Sequence, residues 1–163
     1  MKMISFEVKI KIKDVYAYLM YHMYKGSGLL SILVSIVALI MLILGGRNQD
    51  SMKAMMLLFI AMLFTIIQPV SLFLKAAQQV TGNPMFRKPI TYKFTEEEFI
   101  TEQGEQSMSV TYENIWKIKI SSKRAYIYTG RLNASIIPFR ELEPEKRNLL
   151  IAFLNEKKQE KGK

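Results

Sequence analysis

One histidine, two aspartates and no cysteine are all that this 163-residue chain offers to chemistry needing a base, a hard metal site or a thiol. Disulfides and thiolate metal sites are excluded. With His22 as the sole imidazole, a metal ion is left with carboxylates alone. The glutamates cluster at 96–98 and 141–145, where they read as a solvated turn and a helix surface. A general acid and base need carboxylates set against each other in a cleft. No G-x-S-x-G, phosphate-loop or H-E-x-x-H pattern occurs. The expectation is a protein that is not an enzyme, with no catalytic, cofactor-binding or metal-binding residue.

Basic residues are the chemistry present in excess: 23 Lys and Arg against 14 Asp and Glu, a net charge of +9. Nucleic acid is not the expected partner, because no platform of interleaved aromatics accompanies the charge. Anionic phospholipid headgroups suit it better, at about 1 kcal/mol for each nearby Lys or Arg. Lys75, Arg87 and Lys88, with the lysines of 9–13, are the candidates for seating the chain on a membrane surface. The same residues would equally set membrane topology. The turn Lys123-Arg124, with Tyr126 and Tyr128 beside it, is the candidate surface for headgroups or an unidentified membrane protein. Tyr16, Tyr18, Tyr21 and Tyr24, closed by Lys25, read as membrane-interface anchors, since a tyrosine ring can be apolar while its hydroxyl stays wet.

The elements that hold these residues begin with two uncharged blocks, 29–46 and 54–74, each with twelve Leu, Ile, Val or Phe residues. Eighteen helical residues cover ~27 Å, close to the ~30 Å hydrocarbon core. At about −0.3 to −0.6 kcal/mol per residue, each block gains roughly −4 to −7 kcal/mol on insertion. The loop 47–53 makes them a transmembrane hairpin rather than a cleaved signal. Four basic residues on each outer side (Lys9, Lys11, Lys13, Lys25; Lys75, Arg87, Lys88, Lys93) face only Arg47 and Lys53 in the loop. Both termini are therefore expected in the cytoplasm of a multi-pass cell-membrane protein. Ser31 and Ser35 have the small-xxx-small spacing that packs the spans together. Gln68-Pro69 reads as a proline kink whose freed carbonyl is served by Gln68, Thr65 or a neighbouring helix.

Segment 1–28 opens with clean alternation over 4–13, a half-buried strand, and Asp14 reads as the N-cap of the aromatic helix that follows. Residues 75–89 extend the second span and end at Thr81-Gly82-Asn83-Pro84 and Pro89. Over 90–158 short alternating runs predict about five antiparallel strands, with Gly104 at a hairpin tip between 99–103 and 106–112. Trp116 shares the phase of Ile118 and Ile120 and is expected in the core. A helix over 143–158 has Pro144 near its first position and Leu149, Leu150, Phe153 and Leu154 on its inner face. Residues 159–163 form a basic tail. So thin a domain needs the N-terminal strand in its sheet. The predicted fold class is a membrane α-helical hairpin plus a small α+β cytoplasmic domain, an antiparallel sheet with a C-terminal helix.

The hairpin followed by the acidic turn at 96–98, Tyr112-x-x-Ile115-Trp116 and Ile137-Pro138-Phe139 resembles the YcxB-like family of bacterial membrane proteins. The resemblance implies a pleckstrin-homology-like (PH-like) domain and a membrane location. It supplies no catalytic residues. The functional expectation is a non-enzymatic adaptor that binds lipid or protein through its cytoplasmic module. The alternative is an immunity protein that protects its own cell from a membrane-active peptide.

Overall fold

The structure, a computed structural model, describes residues 3–25, 27–46, 49–131 and 133–160. Arg47 and residues 161–163 of the basic tail lie outside the described residues. The chain forms two compact units: Met1–Asp14 with Val80–Lys163, and Val15–Gln79.

In the first unit the N-terminal strand joins a sheet made far along the chain. Strand β1 (Ile4–Val8) pairs antiparallel with β2 (Ile90–Phe94), Ile4 opposite Phe94 and Val8 opposite Ile90. The sheet continues through β3 (Glu98–Gln103) to β4 (Gln106–Thr111). Gly104 has φ +60° and Glu105 a negative φ, the two-residue hairpin pattern with glycine first. A second antiparallel sheet runs β5 (Lys117–Ile120), β6 (Arg124–Tyr128), β7 (Ala134–Pro138). Helix α5 (Pro144–Glu160) closes the unit, an α+β arrangement. Aromatic rings fill its centre: Phe94 lies 4.9 Å from Phe99, 5.9 Å from Phe6 and 6.1 Å from Phe153 of α5. The Tyr92 hydroxyl donates to the Ile136 carbonyl at 3.4 Å, tying one sheet to the other.

Four local expectations need correction. The first strand stops at Val8, although Ile10 is still buried, because its partner strand begins at Ile90 opposite Val8, and helix α1 (Ile12–Tyr24) follows from Ile12. Asp14 is that helix's third residue, not its N-cap; its Oδ2 accepts the backbone N–H of Lys11 at 2.9 Å, the return half of a capping box. Trp116 is 52% exposed: a tight turn at Tyr112–Asn114 shifts the phase, and Ile115 takes the core position. Leu149 is 59% exposed, so the apolar stripe of α5 is wider than the core it covers. β4, at the sheet edge, is exposed on both faces except for partial cover of Val110.

The second unit contains two helices long and apolar enough to cross a membrane, Gly28–Gly45 and Ser51–Gly82. Helix α2 (Ser27–Gly45) packs against α3 (Ser51–Met62) through small residues. Ser35, Ala38 and Ala61 are buried, and Ser35 Oγ donates to the Ile60 carbonyl at 3.2 Å. Pro69 has no N–H to give, and the helix answers with a π-helical turn, Leu63–Ile67, before α4 (Gln68–Gly82). Gln68 N–H reaches back to Leu63 O. That leaves the Phe64 carbonyl without a backbone donor, and the Tyr24 hydroxyl supplies one at 3.0 Å. The Thr65 hydroxyl donates to Ala61 O at 2.6 Å. The helix then ends at Gly82, where Asn83 Oδ1 accepts the Met85 N–H at 3.0 Å and Pro84 opens a short 3₁₀ turn.

Candidate anion-binding cleft

Two chain reversals, the N-terminal part of one helix and the start of another converge on a basic cleft in the first unit. The β5–β6 turn brings Ser122, Lys123 and Arg124; the 3₁₀ turn Phe139–Glu141 after β7 brings Phe139 and Arg140. The second turn of α5 adds Arg147 and the start of α1 adds Lys13. These seven residues line a cavity of about 390 Å³, with five cations and no carboxylate among them.

The walls are fixed by hydrogen bonds. Ser121 N–H donates to Arg124 O at 2.9 Å, and Phe139 N–H to Lys123 O at 3.0 Å. Arg147 donates from Nη2 to Ser122 O at 3.1 Å while its guanidinium lies 5.3 Å over the Phe139 ring. Behind the cleft Asp14 is fully buried. Arg140 Nη1 donates to its Oδ1 at 2.5 Å, and Arg124 Nη2 stands 3.6 Å from the same oxygen. Arg140 also donates to Lys9 O at 3.1 Å and pairs with Glu141 at 3.0 Å, and Glu141 in turn takes Lys11 at 3.6 Å. The hydrogen bond to Asp14 raises the Arg140 pKa further, overcoming the cost of burial.

Asp14 and Glu141 thus answer two of the five cations. Among the described residues no carboxylate pairs with Lys13, Lys123 or Arg147. The Nε atoms of Arg124 and Arg147 are buried with no hydrogen-bond partner among the described residues. Such a pocket suits a ligand with several anionic oxygens, which can meet planar guanidinium forks and lysine ammoniums together. No group of three or more His, Cys, Asp or Glu able to hold a metal occurs among the described residues.

Of the residues singled out from sequence, Lys123 and Arg124 are in the cleft. Tyr126 and Tyr128 are not surface groups: β6 is the central strand of its sheet, and both side chains are almost fully buried. Lys75 lies in the other unit, on a shallow depression with Leu19, Gln78 and Gln79. Arg87 donates to Thr81 O at 3.4 Å, serving the end of α4. Lys88 is exposed, and its carbonyl accepts Gln103 Nε2 at 2.9 Å. The aromatic helix makes internal contacts: Tyr18 lies 4.7 Å and Tyr21 5.9 Å from His22, Lys25 stands 5.7 Å over Tyr21, and Tyr16 packs 5.8 Å from Phe73. The Tyr24 hydroxyl is engaged by Phe64 O rather than left for headgroups. Sequence reasoning missed Arg140, Arg147 and the role of Asp14, which come from two stretches 126 residues apart with no shared pattern.

No curated protein and no solved structure matches the chain. Residues 94–154 match the family model described as YcxB-like protein. The matched stretch takes in every cleft residue except Lys13. By that match, residues 94–154 are similar to the YcxB-like family.

Proposed function

We propose that this chain is a small integral membrane protein whose two apolar helices hold a non-enzymatic, PH-like adaptor module at the inner leaflet, where the basic cleft takes anionic phospholipid headgroups. Insertion is supported by the apolar side chains that cover the outside of the hairpin, among them Leu44 at 80% and Met52 at 72% exposure. In water such a surface would far exceed the apolar patches of soluble monomers. A PH-like reading is supported by a four-stranded and a three-stranded antiparallel sheet closed by a C-terminal helix. On this reading the membrane hairpin is an insertion between the first and second strands of the module.

The observation that carries the proposal is the excess of cations in the cleft. At about 1 kcal/mol for each of Lys13, Lys123 and Arg147, an anionic headgroup is preferred on the order of 100-fold over a zwitterionic one. Native mass spectrometry of the full chain released from bilayers mixing phosphatidylglycerol and phosphatidylcholine reads that preference directly. Lys13 and Lys123 are exposed, so Lys13→Ala/Lys123→Ala leaves the fold intact. The double variant should lose most of the retained phosphatidylglycerol. Equal retention of both lipids by the unaltered chain would remove the proposal.

A further inference from the structure

A second cavity, of about 770 Å³, runs between the start of β1 and α5, and its character is opposite to that of the cleft. Its floor is apolar: Ile4, Phe94, Ala152 and Phe153, with Met3 and Leu149 at the edge and more than half exposed. Glu96, Glu143, Glu145 and Glu156 line it with one cation, Lys146, among the described lining residues, and Lys157 lies near enough to act on Glu96. Lys146 is already 3.5 Å from Glu143, and no ion pair engages Glu145 or Glu156 among the described residues. In a chain of net charge +9 this rim reverses the overall sign. β1 is the edge of its sheet and pairs with β2 alone among the described residues.

An apolar groove under an acidic rim, at the end of an edge strand, suits an extended amphipathic segment whose alternate side chains enter the groove. The volume lies within the range of ligand pockets, and of β1 only Ile4 and Ser5, ~7 Å of strand, border it. The acidic rim selects the charge of what enters. We propose that the groove is a docking site for an extended, cationic segment of a partner protein, in which aliphatic residues at alternate positions face Phe94, Leu149 and Phe153. Lysine or arginine residues between them point away from the floor and reach back with their long stems to Glu145 and Glu156 at the rim. This site shares no residue with the headgroup cleft and stands without it.

The probe is a fluorescein-labelled, end-blocked peptide Lys-Ile-Lys-Val-Lys-Ile, titrated by anisotropy against the full chain in uncharged phosphatidylcholine nanodiscs, with empty nanodiscs as background. Saturable binding is expected. Glu145→Gln/Glu156→Gln should weaken it about ten-fold, the sum of two partly exposed ion pairs. Leu149→Ser, at an exposed position that leaves the core untouched, should also weaken it several-fold. Lys13→Ala/Lys123→Ala should leave it unchanged, which separates this site from the cleft. Equal binding of Glu-Ile-Glu-Val-Glu-Ile, indifference to both groove variants, or no saturation by about 1 mM peptide would each overturn the proposal. So would a dimer of the full chain that Leu149→Ser dissociates, because the groove would then serve a second copy.

Discussion

Replacing Asp14 with alanine should loosen the sheet-and-helix unit more than any other single polar substitution. The carboxylate is fully buried, accepts Arg140 at 2.5 Å, lies 3.6 Å from Arg124 and accepts the Lys11 N–H that starts α1. Removing one member of a buried pair costs about 3–5 kcal/mol when the survivor is stranded. Arg140 is not wholly stranded, since it keeps Glu141 and Lys9 O and is about a quarter exposed. Loss of the capping contact adds about 0.5–2 kcal/mol. The expected net loss is therefore about 2–4 kcal/mol, a large share of the ~5–15 kcal/mol that stabilises a typical domain. Trp116 is the only tryptophan, and its ring lies 6.0 Å from that of buried Tyr128, so its fluorescence follows unfolding of this unit. With a urea m-value of about 2 kcal/mol/M the midpoint should fall by roughly 1–2 M. Asp14→Asn, which keeps the shape and an acceptor for Lys11, should lose less. A midpoint for Asp14→Ala within about 0.3 M of the parent would mean that the buried carboxylate holds nothing in place.

Other consequences are independent of that node. Gly104→Ala places a Cβ at φ +60° and should cost about 1–2 kcal/mol in the same urea assay, with Gly104→Asn costing less. Tyr24→Phe should cost about 1 kcal/mol of hairpin stability, and distinctly less in a Pro69→Ala background, where a restored N–H can serve the carbonyls that the proline orphans; equal costs in the two backgrounds would disprove the link. Burial pushes the Tyr92 phenol above its ordinary pKa of about 10. The unfolded chain therefore releases that proton first, so the stability contributed is full below about pH 10 and is lost as pH rises towards the folded value. The slope is about 1.4 kcal/mol per pH unit, and Tyr92→Phe should flatten it. Tyr112, raised by burial and by Glu98, contributes a second such loss, so the double variant with Tyr112→Phe should be flatter still.

What was legible in the sequence was local. Uncharged blocks, the alternation of Ile4, Phe6 and Val8, and a lone glycine between two alternating runs each prescribe backbone geometry within a few residues, and the hairpin at Gly104 and the first strand formed accordingly. Trp116 misled because its phase was counted from Ile118, whereas the strand starts at Lys117 after a tight turn. Tyr126 and Tyr128 looked like a surface because they follow a basic turn, yet a central strand covered on both faces buries its tyrosines too. Asp14 was legible as a helix-start residue but not as the counter-ion of arginines 110 and 126 positions away. The cleft itself has no linear signature: Lys13, Arg124, Arg140 and Arg147 meet only after both sheets and the closing helix are in place.

The lack of cysteine allows a single introduced thiol to report which side of the membrane it occupies. Ser51→Cys marks the start of α3 and Ser122→Cys the cleft turn. In intact cells treated with a membrane-impermeant maleimide, a hairpin that holds its head at the inner leaflet gives labelling at Ser51→Cys and none at Ser122→Cys until the cells are opened. Labelling of Ser122→Cys from outside intact cells would contradict that arrangement.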